Sequence, residues 1–159
     1  SGALMSMLRV QDLGVSIATI SPLSGVSFQL ERGEIIGIVG ESGSGKSLTA
    51  KSVMGLLPLI GGQVDHGIIE FDGIELTEIS ENEYRKLRGG RIGLITQNPR
   101  TSLDPLKKIG PQVDDVSRLH LDHDKSQAKA RSIELRGDLR IPVPASIYQR
   151  NPHPLSGGM

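Results

Sequence analysis

The chain has no cysteine and no tryptophan, and only two phenylalanines and two tyrosines among its 159 residues. Without cysteine there is no disulfide and no thiolate metal site, which suits a reducing compartment. With aromatics at 3% there is little to stack on bases or to anchor at a membrane interface. Charge of one sign is lacking too. Eighteen basic residues balance eighteen acidic ones, so global electrostatics imply no nucleic-acid partner. No apolar run approaches the roughly 18 residues of a membrane-spanning helix. The N-terminus shows no charged region followed by an apolar core, so no secretory leader is expected. Ser1-Gly2-Ala3 is set aside from the fold. The length suits one domain or a large piece of one.

Glycine, by contrast, is abundant, at 20 residues, and one glycine-rich stretch organises the chain. Gly40-Glu41-Ser42-Gly43-Ser44-Gly45-Lys46-Ser47 fits the phosphate-loop pattern of Gly, four free positions, Gly-Lys and Ser/Thr. The apolar, β-branched run Glu34–Val39 before it reads as a buried parallel strand. The run Leu48–Leu57 after it reads as a helix with Leu48, Val53, Leu56 and Leu57 near one face. Glycines let the backbone turn tightly, so that successive N–H groups point into one hollow at a helix start and hold a polyphosphate. Lys46 is then expected to reach the β- and γ-phosphates, and the Ser47 hydroxyl to ligate Mg²⁺. Leu48 completes the set of candidate nucleotide contacts from Gly40 onward.

The other elements follow in order. Leu8–Ile17 alternates imperfectly and Val26–Leu30 cleanly, as two half-buried strands. Ile20–Ser24, containing Ser21-Pro22, and Pro58–His66 read as loops. Gly67–Phe71 reads as a strand closed by the hairpin-type turn Asp72-Gly73. Ser80-Glu81-Asn82-Glu83 fits a capping box for a helix running to about Leu87. Arg91–Thr96 reads as another buried strand. Asp124 is expected to cap a helix to about Leu135, and Ser146–Arg150 is read as a further helical turn.

Three motifs now stand in order: the phosphate loop, Gln97-Asn98-Pro99, and Leu155-Ser156-Gly157-Gly158-Met159. Together they resemble the nucleotide-binding subunit of ATP-binding cassette (ABC) transporters. The stretch from Thr101 to Asp104-Pro105, then Ile109-Gly110 and Pro152-His153, looks like the peptide and nickel importer group. The resemblance implies an α/β fold: a phosphate-loop core with an antiparallel β portion over residues 4–105, and a helical subdomain over 106–159. It also implies ATP and Mg²⁺ as ligands, with Lys46 and Gln97 in catalysis and Ser47 and Gln97 near the metal. Ser156, Gly157 and Gly158 would meet the γ-phosphate held by a second nucleotide-binding subunit. Transmembrane permease subunits, and through them an extracytoplasmic solute-binding protein, would be partners at the cytoplasmic face of the membrane. Nucleic acid would not.

The chain departs from the family in three ways. Ile17 stands where an adenine-stacking aromatic is usual, and Met159 replaces the commoner Gln. The family's Walker B strand, catalytic glutamate and switch histidine would lie beyond Met159. By the same analogy, the strands at Ile35–Val39 and Ile92–Thr96 are expected to lack neighbours, and the chain to bind ATP without efficient hydrolysis. A small-molecule kinase, a soluble ABC ATPase of another pathway and a non-catalytic binding module remain the alternatives. Asp122-His123-Asp124 reads as a solvated loop and helix cap rather than a metal cluster, His153 as structural, and Arg85, Lys86, Arg88 and Arg91 as a solvated basic face.

Overall fold

The computed structural model describes residues 6–97, 102–141 and 144–152. The chain divides into two compact units, Ser1–Arg88 and Gly89–Met159. None of the helices of the described residues is long and apolar enough to cross a membrane.

The first unit holds a four-stranded antiparallel sheet, β1 (Leu8–Ile17), β2 (Ile20–Leu30), β3 (Gly62–Phe71) and β4 (Ile74–Glu75), in the order β2-β1-β3-β4. Both β1–β2 and β1–β3 are antiparallel. The imperfect alternation of β1 has a physical cause. Asp12 adopts a left-handed φ of 47°, and the register shifts between Val10 and Leu13. This β-bulge returns Leu13 to the face of Val10, so Val10, Leu13 and Val15 are all buried. Gly67 opposite has no room for a side chain: a Cβ would lie 2.4 Å from the Asp12 carbonyl oxygen. The β3–β4 turn runs through Asp72 and Gly73, both at positive φ, the hairpin chemistry read from the sequence.

Two helices accompany this sheet, α1 (Lys46–Val53) and α2 (Glu81–Leu87), with a 3₁₀ turn at Leu57–Ile60. α2 starts on the expected capping box: the Ser80 hydroxyl accepts from the Glu83 N–H, and the Glu83 carboxylate accepts from the Ser80 N–H. Leu48, Met54, Leu57, Ile69, Phe71, Leu76, Tyr84 and Leu87 complete the core.

Several expectations need correction. The strand expected at Glu34–Val39 belongs to no sheet: Ile35 is 95% and Val39 92% exposed. Arg91–Thr96 likewise forms no strand, and Ile95 is 97% exposed. Both runs have strand composition, but a strand exists only where a neighbour accepts its N–H and C=O groups. Among the described residues the sheet is the antiparallel one, and it incorporates neither run. Strand β2 starts at Ile20 rather than Val26, because Pro22 sits on a sheet edge, where a missing donor costs little. Strand β3 starts at Gly62 rather than Gly67. α1 ends at Val53, short of Leu57.

The second unit is helical: α3 (Ile109–Leu121), α4 (Lys125–Asp138) and α5 (Pro144–Tyr148). Asp124 caps α4 as expected, accepting from the Ser126 and Gln127 N–H groups at 2.7 and 2.8 Å. Asp114, buried on α3, accepts from the Ser132 hydroxyl at 2.5 Å and from the Tyr148 hydroxyl, tying the three helices together. The Tyr148 ring lies on Gly110, where a Cβ would approach to 2.4 Å.

Candidate functional site

The site is built on the join between the glycine loop and α1. Gly43 and Gly45 have φ values of 84° and 88°, a left-handed conformation that costs glycine little and other residues more. Gly45 is the N-cap of α1 and has a second reason to lack a Cβ: one would lie 2.5 Å from Leu23 Cδ1 of β2. A Cβ on Gly40 would lie 2.6 Å from the Ser44 hydroxyl oxygen. The loop can therefore fold this tightly only with these glycines.

No side chain caps the start of α1, and its first turn holds no acidic residue. The first intrahelical bond is made by Thr49, whose N–H donates to the Gly45 carbonyl at 2.8 Å. The Thr49 hydroxyl donates to the same oxygen at 3.0 Å. The preceding N–H groups at the helix start have no intrahelical acceptor and carry the positive end of the helix dipole. Lys46 Nζ lies over the loop, donating to the carbonyls of Gly40 and Glu41 at 2.7 and 2.6 Å and to Ser44 Oγ at 3.2 Å. Ser47 is exposed at the helix start. An uncapped helix start, a close-turning glycine loop and an ammonium group on its rim fit an anion of phosphate type. They provide no apolar slot for a base, and Ile17, at the end of β1, pairs with Ile20 and Gly62.

Gly40 to Leu48 are thus brought together in the first unit. Gln97 is exposed and belongs to the second unit. Asn98, Pro99 and Thr101, together with His153, Ser156, Gly157, Gly158 and Met159, lie outside the described residues. His123, from the Asp122-His123-Asp124 stretch, pairs through Nδ1 with the Ser117 hydroxyl at 2.8 Å. Two carboxylates near the motifs have structural partners. Asp104 Oδ1 accepts from the Leu106 N–H at 2.9 Å, its Oδ2 lies 3.4 Å from Lys107 Nζ, and Asp114 joins the helices.

Arg88 was misread from sequence as part of a solvated basic face. Its Nε donates to the Met54 carbonyl at 2.7 Å and its Nη2 to the Gly55 carbonyl at 2.9 Å, at the far end of α1. The signal available was weak: an Arg seven residues after Glu81, just past a helix end.

The model of the family described as ABC transporter matches residues 23–159. The chain belongs to this family. It is 42% identical over 157 residues to the oligopeptide transport ATP-binding protein OppD of Bacillus subtilis (strain 168), covering 96% of this chain and 44% of that protein. It is 40% identical over 159 residues to the dipeptide transport ATP-binding protein DppD of Escherichia coli (strain K12), covering 98% and 48%. The chain therefore spans slightly less than half the length of these relatives. Among solved structures, the dimeric post-hydrolysis state of the ATP-binding cassette MJ0796, bound to ADP and Pi, superposes with a TM-score of 0.80 at 22% identity, covering 95% of this chain and 64% of that one. That likeness shows the fold: an α/β ATP-binding cassette, of which the chain presents a part with its antiparallel sheet.

Proposed function

We propose that this chain is the nucleotide-binding portion of an ABC importer's ATP-binding subunit, and that the parent protein couples ATP hydrolysis to uptake of peptides. The observation that carries the reading is the uncapped start of α1 behind the Gly40–Ser47 loop, with Lys46 on its rim. The names of the relatives favour peptides over nickel as cargo. On this reading residues 4–105 form the nucleotide-binding core and 106–159 a helical subdomain facing the permease at the cytoplasmic face of the membrane.

In this site the loop N–H groups and Lys46 hold the β- and γ-phosphates, and binding requires Lys46 to exchange its carbonyl partners for phosphate oxygens. Mg²⁺, when bound with the nucleotide, neutralises phosphate charge, and Ser47 and Gln97 are the residues that would hold it. Gln97 would also orient the attacking water. Ser156, Gly157 and Gly158 would offer N–H donors to the γ-phosphate bound by a second subunit.

The test is a thermal shift of the purified chain with MgATP. At nucleotide near 100 times the dissociation constant, stabilisation should be about 2.7 kcal/mol, and Lys46→Ala should remove it. Equal shifts in both proteins would refute the reading. The 159-residue chain alone should show no turnover near ~1 s⁻¹, the low end of ordinary enzyme rates, because Asp104 and Asp114 are engaged elsewhere. Phosphate release at that rate, lost in Lys46→Ala, would show that a carboxylate of this chain serves as the base.

A further inference from the structure

α1 is eight residues long, a rod of about 12 Å. A helix that short is not stable by itself, so its direction depends on what holds its two ends. The N-terminal end is seated by Gly45 against Leu23. The C-terminal end is held by α2. Gly55, at φ 62°, follows the helix and lies on the face of Tyr84, where a Cβ would come within 2.6 Å of the ring. Arg88 lies 4.9 Å from the Tyr84 ring centroid. It reaches across to the Met54 and Gly55 carbonyls, groups that a helix end leaves without intrahelical donors. Glu81 fixes the guanidinium from the other side in a two-pronged pair, Nη1–Oε1 at 2.7 Å and Nη2–Oε2 at 3.0 Å. Glu81 and Tyr84, three residues apart, share one face of α2, and Arg88, the extended residue that caps the helix, reaches both.

We propose that Arg88 is a positioning residue for the phosphate loop: it clamps the C-terminal end of α1 and thereby sets where the helix start presents its N–H groups. The inference rests on the nucleotide reading above and adds a residue that lies outside the glycine-lysine motif. The positive charge of Arg88 at the helix C-terminus also interacts favourably with the negative end of the helix dipole and so stabilises the short helix. The planar fork matters as well as the charge, since a lysine can make one such bond but not the set.

The experiment measures MgADP binding to the 159-residue chain by calorimetry, alongside amide hydrogen exchange of the nucleotide-free proteins. Arg88→Met should weaken MgADP about tenfold, the scale of one lost charge-assisted hydrogen bond. Arg88→Lys should recover part of the loss, and Glu81→Gln should fall between. Exchange should quicken at Lys51–Gly55 and stay unchanged at Val10 and Ile69 in the sheet. MgADP affinity within about twofold of wild type would overturn the proposal, as would exchange that quickens throughout the sheet. Should Arg88→Met not fold, Glu81→Gln decides by the same criteria. A wild-type chain that fails to bind MgADP, or binds it no better than Lys46→Ala, refutes the nucleotide reading and this inference with it. Normal binding by wild type and by Arg88→Met, with none by Lys46→Ala, refutes this inference alone.

Discussion

Removing the Asp114 carboxylate should unfold the helical unit far more readily than removing its cationic neighbour Arg136. Asp114 is 5% exposed and accepts from two hydroxyls, Ser132 on α4 and Tyr148 on α5. Hydrogen bonds to a charged group contribute about 1.5–3 kcal/mol each. Asp114→Ala would remove the acceptor of both buried hydroxyls, at a cost of about 3–6 kcal/mol for the two bonds together. Arg136 is also 5% exposed, but its position is different: Nη1 donates to the Ser132 carbonyl at 2.8 Å while Nη2 is a buried donor with no partner. Its guanidinium lies 5.6 Å from the Tyr148 ring centroid. Arg136→Met keeps much of the apolar stem and deletes that unmet donor, so it should cost less than about 1 kcal/mol or stabilise. The chain offers a clean reporter, because its two tyrosines divide between the units and there is no tryptophan. Urea unfolding followed by Tyr148 fluorescence in a Tyr84→Phe background reads the helical unit alone. Equal destabilisation by Asp114→Ala and Arg136→Met would refute the reasoning, since it would mean that the two charges stabilise each other as a direct pair.

Two further outcomes are expected. Gly45→Ala, at a φ of 88° and with Leu23 Cδ1 2.5 Å from the new methyl, should abolish the Lys46-dependent nucleotide shift and cost about 1–3 kcal/mol in thermal unfolding; retention of both would show that the loop relaxes freely. Burial, the largest cause in each case, raises the Tyr84 and Tyr148 hydroxyls from 10.0 to about 12. Because the folded values lie above the unfolded ones, this stability is full below pH 10 and is lost as pH rises toward about 12; an alkaline unfolding profile flat across that window would contradict the assignment.

What was legible in the sequence was local. The phosphate loop, the capping box at Ser80, the helix cap at Asp124 and the Asp72-Gly73 turn each need only residues within a few positions, and all are present. What was not legible depended on distant partners. Apolar β-branched composition at Ile35–Val39 and Ile92–Thr96 reads as strand; that both runs lack strand neighbours follows from the family analogy and not from the composition. Pro22 reads as a breaker until the sheet order places it on an edge. The sequence reading placed Ile109–Leu121 within a helical subdomain but assigned it no helix of its own. Yet proline is tolerated in a first helical turn, and Gly110 is small because Tyr148 lies on it. Arg88 contacts carbonyls 33 and 34 positions earlier, and no periodicity announces such a contact.

The same division between local and distant separates binding from turnover. On the proposed reading the groups that hold a phosphate lie within Gly40–Leu48; Gly45 sets the helix start against Leu23 of β2, and Arg88 donates to the Met54 and Gly55 carbonyls at the far end of α1. Each of these contacts is internal to the first unit. The groups proposed for hydrolysis are dispersed: Gln97 belongs to the second unit, and the Ser156–Gly158 turn would serve a nucleotide held by another subunit. A perturbation of the first set should therefore change affinity in the chain by itself, whereas a perturbation of the second set should change rate only in the assembled transporter. Gln97→Ala is accordingly expected to leave the MgADP affinity of this chain within about twofold of wild type, well inside the tenfold that corresponds to 1.4 kcal/mol. A larger loss would mean that Gln97 already contributes to the ground-state site, and that the boundary between holding the nucleotide and hydrolysing it runs elsewhere than between the loop and the second unit.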